Sequence, residues 1–126
     1  MTRRYRPYYW CWNKATNEVT PCPLLAWAAQ MQDVESRRVA ADELAKPAVL
    51  GDGTILISTV FLGLDHNFSD QGPPIIWETL ILGLPESAAL HEKMWRYANH
   101  DDAVRGHGVA VRLVQLFLST VQKGGC

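Results

Sequence analysis

The chain has few cysteines, and they are not arranged as a framework. Cys11, Cys22 and Cys126 make an odd number, and no CxxC pair occurs. That argues against a disulfide scaffold and against a thiolate zinc site, and suits reduced thiols in a cytoplasmic protein. Long apolar runs are also missing. The longest, residues 55–64, is about half of the roughly 20 residues that a membrane span needs. No stretch of signal-sequence length follows the basic opening Met1-Thr2-Arg3-Arg4-Tyr5-Arg6. Nor is there an excess of one charge: 12 basic residues stand against 13 acidic ones. Proteins that coat nucleic acid or anionic lipid need a broad basic footprint, so neither nucleic acid nor a membrane is an expected partner. P-loop, dinucleotide, nucleophile-elbow and HExxH motifs are all absent.

What is present suits an ordinary globular domain. The chain has 126 residues, 48% of them hydrophobic and 20% charged. That length suffices to bury a core without staples. No repeat, low-complexity tract or linker divides it. The expectation is one domain over residues 1–126, with residues 1–7 a flexible basic tail and 123–126 a frayed end.

Tyr8-Tyr9-Trp10-Cys11-Trp12 suits a strand, and Val19 begins a return strand after a turn-rich segment. Residues 24–37 read as a helix, with Leu24, Trp27, Ala28, Met31 and Val34 at helical spacing. Arg37-Arg38-Val39-Ala40 opens another strand whose end is not marked. After the turn Gly51-Asp52-Gly53, residues 54–64 form the strongest strand, continuous enough to predict burial on both faces. Residues 65–74 connect it to a strand over 75–83, as a hairpin with a long loop. Met94-Trp95-Arg96-Tyr97 reads as an edge strand. Asn99 caps a helix running to about residue 122, with Asp101 and Asp102 at its positive end. The fold class expected is therefore α+β: an antiparallel sheet of about four or five strands packed with two main helices.

Polar residues in apolar surroundings mark where chemistry could sit. Asp65-His66 follows the buried strand and reads as an acid/base pair or as metal ligands, or as an Asx-turn with a backbone-bonded histidine. Strand period puts Glu78 with Ile76, Leu80 and Leu82. A carboxylate there is costly unless paired, or that face is open to water. His107 falls within the helical stripe Ala103, His107, Ala110, Val111, Val114, Phe117, Leu118, Val121, so it points at the sheet. It is either a core histidine with a partner or part of a site. Glu78 and His107 are the candidate catalytic groups. Asp65, His66 and His107 are candidate metal ligands, although no spacing is a metal signature and His100-x6-His107 is not the i, i+4 arrangement. Arg96 is a candidate anion contact. The N-terminal arginine–aromatic run could stack bases, or simply pack Trp10 and Trp12 into the core.

Ser58-Thr59-Val60-Phe61-Leu62-Gly63-Leu64-Asp65-His66, then Gly72-Pro73-Pro74-Ile75-Ile76-Trp77-Glu78-Thr79, then Arg96-Tyr97 and Gly106-His107 form a series. It resembles a pattern in small uncharacterised proteins of phages and prophages. Trp27 and Arg37-Arg38-Val39-Ala40 fit it as well, and the likeness covers residues 24–114. Leu80-Ile81-Leu82 departs from it, standing where the pattern has a Met-Val-Phe-like run. The resemblance implies a phage accessory protein and carries no named activity.

The functional expectation is a binding role, for a small molecule or a host protein, with counter-defence as its purpose. The site would be a polar pocket between the last helix and the central hairpin, formed by Asp65, His66, Glu78, Arg96 and His107. The alternative is a small hydrolase using the same residues, with zinc or manganese in its metal-dependent form. Otherwise no cofactor is expected. A third reading is a protein-interaction module, or a homodimer, built on the aromatic N-terminal strand.

Overall fold

The computed structural model describes residues 7–69 and 71–124. The expected basic tail, Pro7 apart, lies outside the described residues, as does Cys126. Two antiparallel sheets and three α-helices form an α+β domain. β1 (Trp10–Asn13) and β2 (Glu18–Pro21) make a two-stranded hairpin. β3 (Arg38–Ala45), β4 (Thr54–Phe61), β5 (Trp77–Leu82) and β6 (Met94–Tyr97) make a four-stranded sheet in that spatial order. A Tyr9–Leu64 bridge connects the hairpin to the chain just beyond β4.

The helix expected over residues 24–37 is broken. α1 (Leu24–Gln32) and α2 (Val34–Arg37) meet at Asp33, whose extended backbone and side chain cap Ser36. Gln30 reinforces the break, since its side chain bonds both the N–H and the carbonyl of Trp12 and the carbonyl of Ser36. Leu24 and Val34 end up exposed, and only Trp27, Ala28 and Met31 of the expected stripe are half-buried. Trp27 lies against Gly63, where a Cβ would come within 2.7 Å of the indole, and donates to the Leu62 carbonyl at 2.9 Å.

β4 corrects another expectation. Ile55, Ile57, Thr59 and Phe61 are buried, while Leu56, Ser58 and Val60 between them are half-buried. Its apolar run is covered fully on one face only. The covering element is α3 (His100–Gly124), capped by Asn99, whose Oδ1 accepts the Asp102 N–H at 2.8 Å. Ala103, His107, Ala110 and Val114 form its buried stripe, each within one helical turn of the next. One half of the core joins Ala110 and Val114 to Ile55, Ile57 and Ile81. The other half joins Ala103 to Trp12, Phe61, Ile76 and Trp77, so the hairpin covers the sheet where α3 begins. Trp12 meets Trp77 edge-on at 4.9 Å between ring centres. Such contacts add to the burial of large aromatic surfaces. No helix among the described residues is long and apolar enough to cross a membrane.

Candidate functional site

The expected pocket of five residues is not assembled, because strand alternation and loop geometry separate its members. On β5, Trp77, Thr79 and Ile81 face α3. Glu78 therefore points to the opposite face, away from His107. There it lies across from Arg96 in the strand register, and Arg96 Nε donates to Glu78 Oε2 at 3.1 Å. Asp65 is almost fully buried in the loop after β4. Its Oδ1 accepts the Asn67 N–H at 2.7 Å, an Asx-turn, and the Ile75 N–H at 3.0 Å. His66 Nδ1 donates to the Leu64 carbonyl at 2.7 Å. Both residues brace the long β4–β5 loop. Among the described residues no cluster of three or more His, Cys, Asp or Glu is placed to hold a metal.

His107 belongs to a different group, one the sequence pattern did not join. Its Nδ1 lies 2.7 Å from Thr59 Oγ1, and its Nε2 lies 2.6 Å from Asp42 Oδ2. Thr59 in turn lies 2.6 Å from Thr79, its register partner on β5, and Tyr97 donates to Thr79 at 3.0 Å. The chain runs from β6 through β5 and β4 to α3 and out to β3. One assignment uses every hydroxyl proton. Tyr97 donates to Thr79, Thr79 to Thr59 and Thr59 to His107 Nδ1, which leaves the Nε2 proton for the Asp42 carboxylate. Gly106 makes room for this, because a Cβ there would lie 2.1 Å from the Tyr97 hydroxyl.

An acid, an imidazole and a hydroxyl in series is also the order found in nucleophilic hydrolases. Here Thr59 has no exposed surface and sits in mid-strand beneath α3. A nucleophile must reach a substrate, and this one is enclosed. What the network does is satisfy the buried Thr59, Thr79 and His107 and tie four strands and a helix together.

A second polar group lies at the start of α3, facing a cavity of about 500 Å³. Trp10, Val19, Ile76 and Trp77 supply apolar lining, and His100 and Asp101 supply polar groups. The His100 ring packs against Trp77 at 5.3 Å and Trp12 at 5.5 Å between centres. Its Nδ1 is buried and has no hydrogen-bond partner among the described residues. The Asp101 Oδ1 oxygen is 3.8 Å away, beyond hydrogen-bond reach.

Comparison with protein-family models, with curated proteins and with solved structures finds no match to this chain. The candidate site therefore rests on its own geometry. In the sequence, Asn99, His100 and Asp101 carry only a helix-start signal, and nothing couples them to Trp10 or Trp77. The cavity exists because the hairpin folds over the end of the sheet. Its signal is tertiary.

Proposed function

We propose that this protein binds a small planar ligand in the cavity at the start of α3. The observation that carries the reading is the cavity itself, walled by the Trp10 indole and by the partly exposed His100 side chain. The volume falls within the range of about 300–1,000 Å³ typical of small-molecule sites, and the mixture of apolar walls with a few polar groups is also typical. The half-buried Trp10 offers ring surface for stacking, and His100 and Asp101 offer an edge for hydrogen bonds. This favours a heteroaromatic ligand of nucleobase or nucleoside size over an aliphatic one.

The resemblance to phage and prophage proteins suggests a purpose for such binding: sequestering a host small molecule in the cytoplasm as counter-defence. That setting extends the same proposal and does not rest on the cavity.

The test is a thermal-shift and ligand-observed NMR screen against nucleobases, nucleosides and nucleotides. A hit should raise the melting temperature of the wild type in a saturable way. His100→Phe, which keeps a ring and removes the nitrogens, should lose that response while keeping its circular dichroism spectrum. A screen without a shift at millimolar ligand, or a hit unaffected by both His100→Phe and Trp10→Ala, would overturn the reading.

A further inference from the structure

The hairpin holds two thiols in contact. Cys11 on β1 lies opposite Thr20, and Cys22 follows β2 with its N–H on the Tyr9 carbonyl at 3.0 Å. Cys11 and Cys22 thus stand on one face of the ribbon as diagonal neighbours, and their sulfurs are 2.6 Å apart. A covalent S–S bond is about 2.05 Å long, so little movement separates this contact from a bond. Both residues are half-buried and retain access to solvent. Beside them opens a depression of about 380 Å³, lined by Cys11, Asn13, Thr20, Gln30 and Ser36.

We propose that Cys11 and Cys22 are a redox-active dithiol that closes reversibly to a disulfide by exchange with a low-molecular-weight disulfide such as oxidised glutathione. The Cys11 thiolate attacks one glutathione sulfur, forming a mixed disulfide and expelling one glutathione thiolate. The Cys22 sulfur then attacks the Cys11 sulfur, gives up its proton to solvent and expels the second glutathione. The protein loses two protons and two electrons, and one glutathione disulfide becomes two thiols.

The order of attack has a physical basis. Burial, together with the Cys11 hydrogen bond and charge, pushes the Cys22 thiol up to about 12. Cys11 therefore attacks first, and once its sulfur is in the mixed disulfide the hydrogen bond and charge that help hold the Cys22 proton are gone, so that Cys22 can deprotonate and resolve it. A pair formed this way suits a reducing compartment, where disulfides are transient and redox-sensing. The two cysteines close a short loop, and that loop carries Trp12, Asn17 and Val19.

The experiment uses the full chain carrying Cys126→Ser, equilibrated in glutathione buffers from fully reduced to fully oxidised. Acid quenching, alkylation with N-ethylmaleimide and intact mass measurement then count the free thiols. The expected result is one transition from doubly alkylated protein to unalkylated monomer, two hydrogens lighter. Cys22→Ser in the same background should stop at one glutathione adduct on Cys11. Far-UV circular dichroism checks that both forms are folded. The proposal is overturned if both thiols stay alkylatable in oxidised buffer. It is equally overturned if oxidation yields only glutathione adducts or chain-to-chain dimers, or if the bond forms only in urea.

Discussion

His107 Nε2 lies 2.6 Å from Asp42 Oδ2, joining the N-terminal half of α3 to the edge strand β3. The two ends of this bond sit in different surroundings, with side-chain exposures of 8% for the histidine and 53% for the aspartate. Losing the ring leaves a cavity and strands the Thr59 hydroxyl, whereas losing the carboxylate leaves the Nε2 proton near water. His107→Ala should therefore destabilise by about 2–4 kcal/mol, and Asp42→Ala by about 0.5–1.5 kcal/mol. Urea unfolding measures both. Equal losses would contradict the asymmetry in burial.

Thr59 and Thr79 share one hydroxyl contact at the centre of the sheet. Thr59→Val and Thr79→Val keep the shape and remove the donors, so each should cost about 1–3 kcal/mol. The double variant should cost less than the sum by at least about 0.5 kcal/mol, because the second loss removes the group stranded by the first. Additive costs in that cycle would refute the shared bond.

Gly106 and Gly108 should respond to alanine with opposite signs. In an exposed helix, Gly→Ala gains about 0.5–1 kcal/mol. Among the described residues Gly108 has nothing within 4 Å of its would-be Cβ, so Gly108→Ala should show that gain. At Gly106 the new methyl meets the Tyr97 ring and hydroxyl at 2.1–2.4 Å, and Gly106→Ala should destabilise. Adding Tyr97→Ala should reduce the penalty of Gly106→Ala. A stabilised Gly106→Ala would mean that Tyr97 does not lie over the helix.

Glu78 and His107 should behave independently, since the sheet lies between them. Glu78→Gln weakens a partly exposed ion pair with Arg96 and should cost less than about 1 kcal/mol. Combined with His107→Ala it should be additive within about 0.5 kcal/mol. Strong coupling would place both on one face.

Cys22 predicts an alkaline loss of stability in the reduced protein. Its folded-state pKa is raised from 9.0 to about 12, so the neutral thiol is favoured on folding. The associated stability is complete below pH 9.0 and declines as pH rises toward about 12. Measured with reductant present, Cys22→Ser should show a shallower decline across that window than the wild type. Parallel profiles would remove this role.

Much of the secondary structure could be read from local chemistry. Asn99 followed by Asp101 and Asp102 marks the start of α3, and the helical stripe places His107 on its inner face, where the structure has it. The hairpin of β4 with β5 and the edge position of β6 also follow from pattern and turn residues. Asp33 was harder to read, because its capping of Ser36 depends on Gln30 being held by Trp12.

The partners of the polar residues were not legible. An alternating strand says that Glu78 and Thr79 face opposite ways, but not which face the helix covers. In Ile75-Ile76-Trp77-Glu78-Thr79-Leu80-Ile81-Leu82 both faces are apolar enough to be core. Once α3 lies on Thr79, Glu78 is turned toward Arg96, and His107 toward Thr59 and Asp42. By itself the sequence determined an α+β chain with one amphipathic C-terminal helix and an inward histidine, because helical and strand periodicities are local. Only the tertiary structure decided what that histidine bonds, that Cys11 meets Cys22, and that His100 opens on a cavity. Each of those facts depends on residues far apart in the chain meeting through sheet register and packing, which no local pattern encodes.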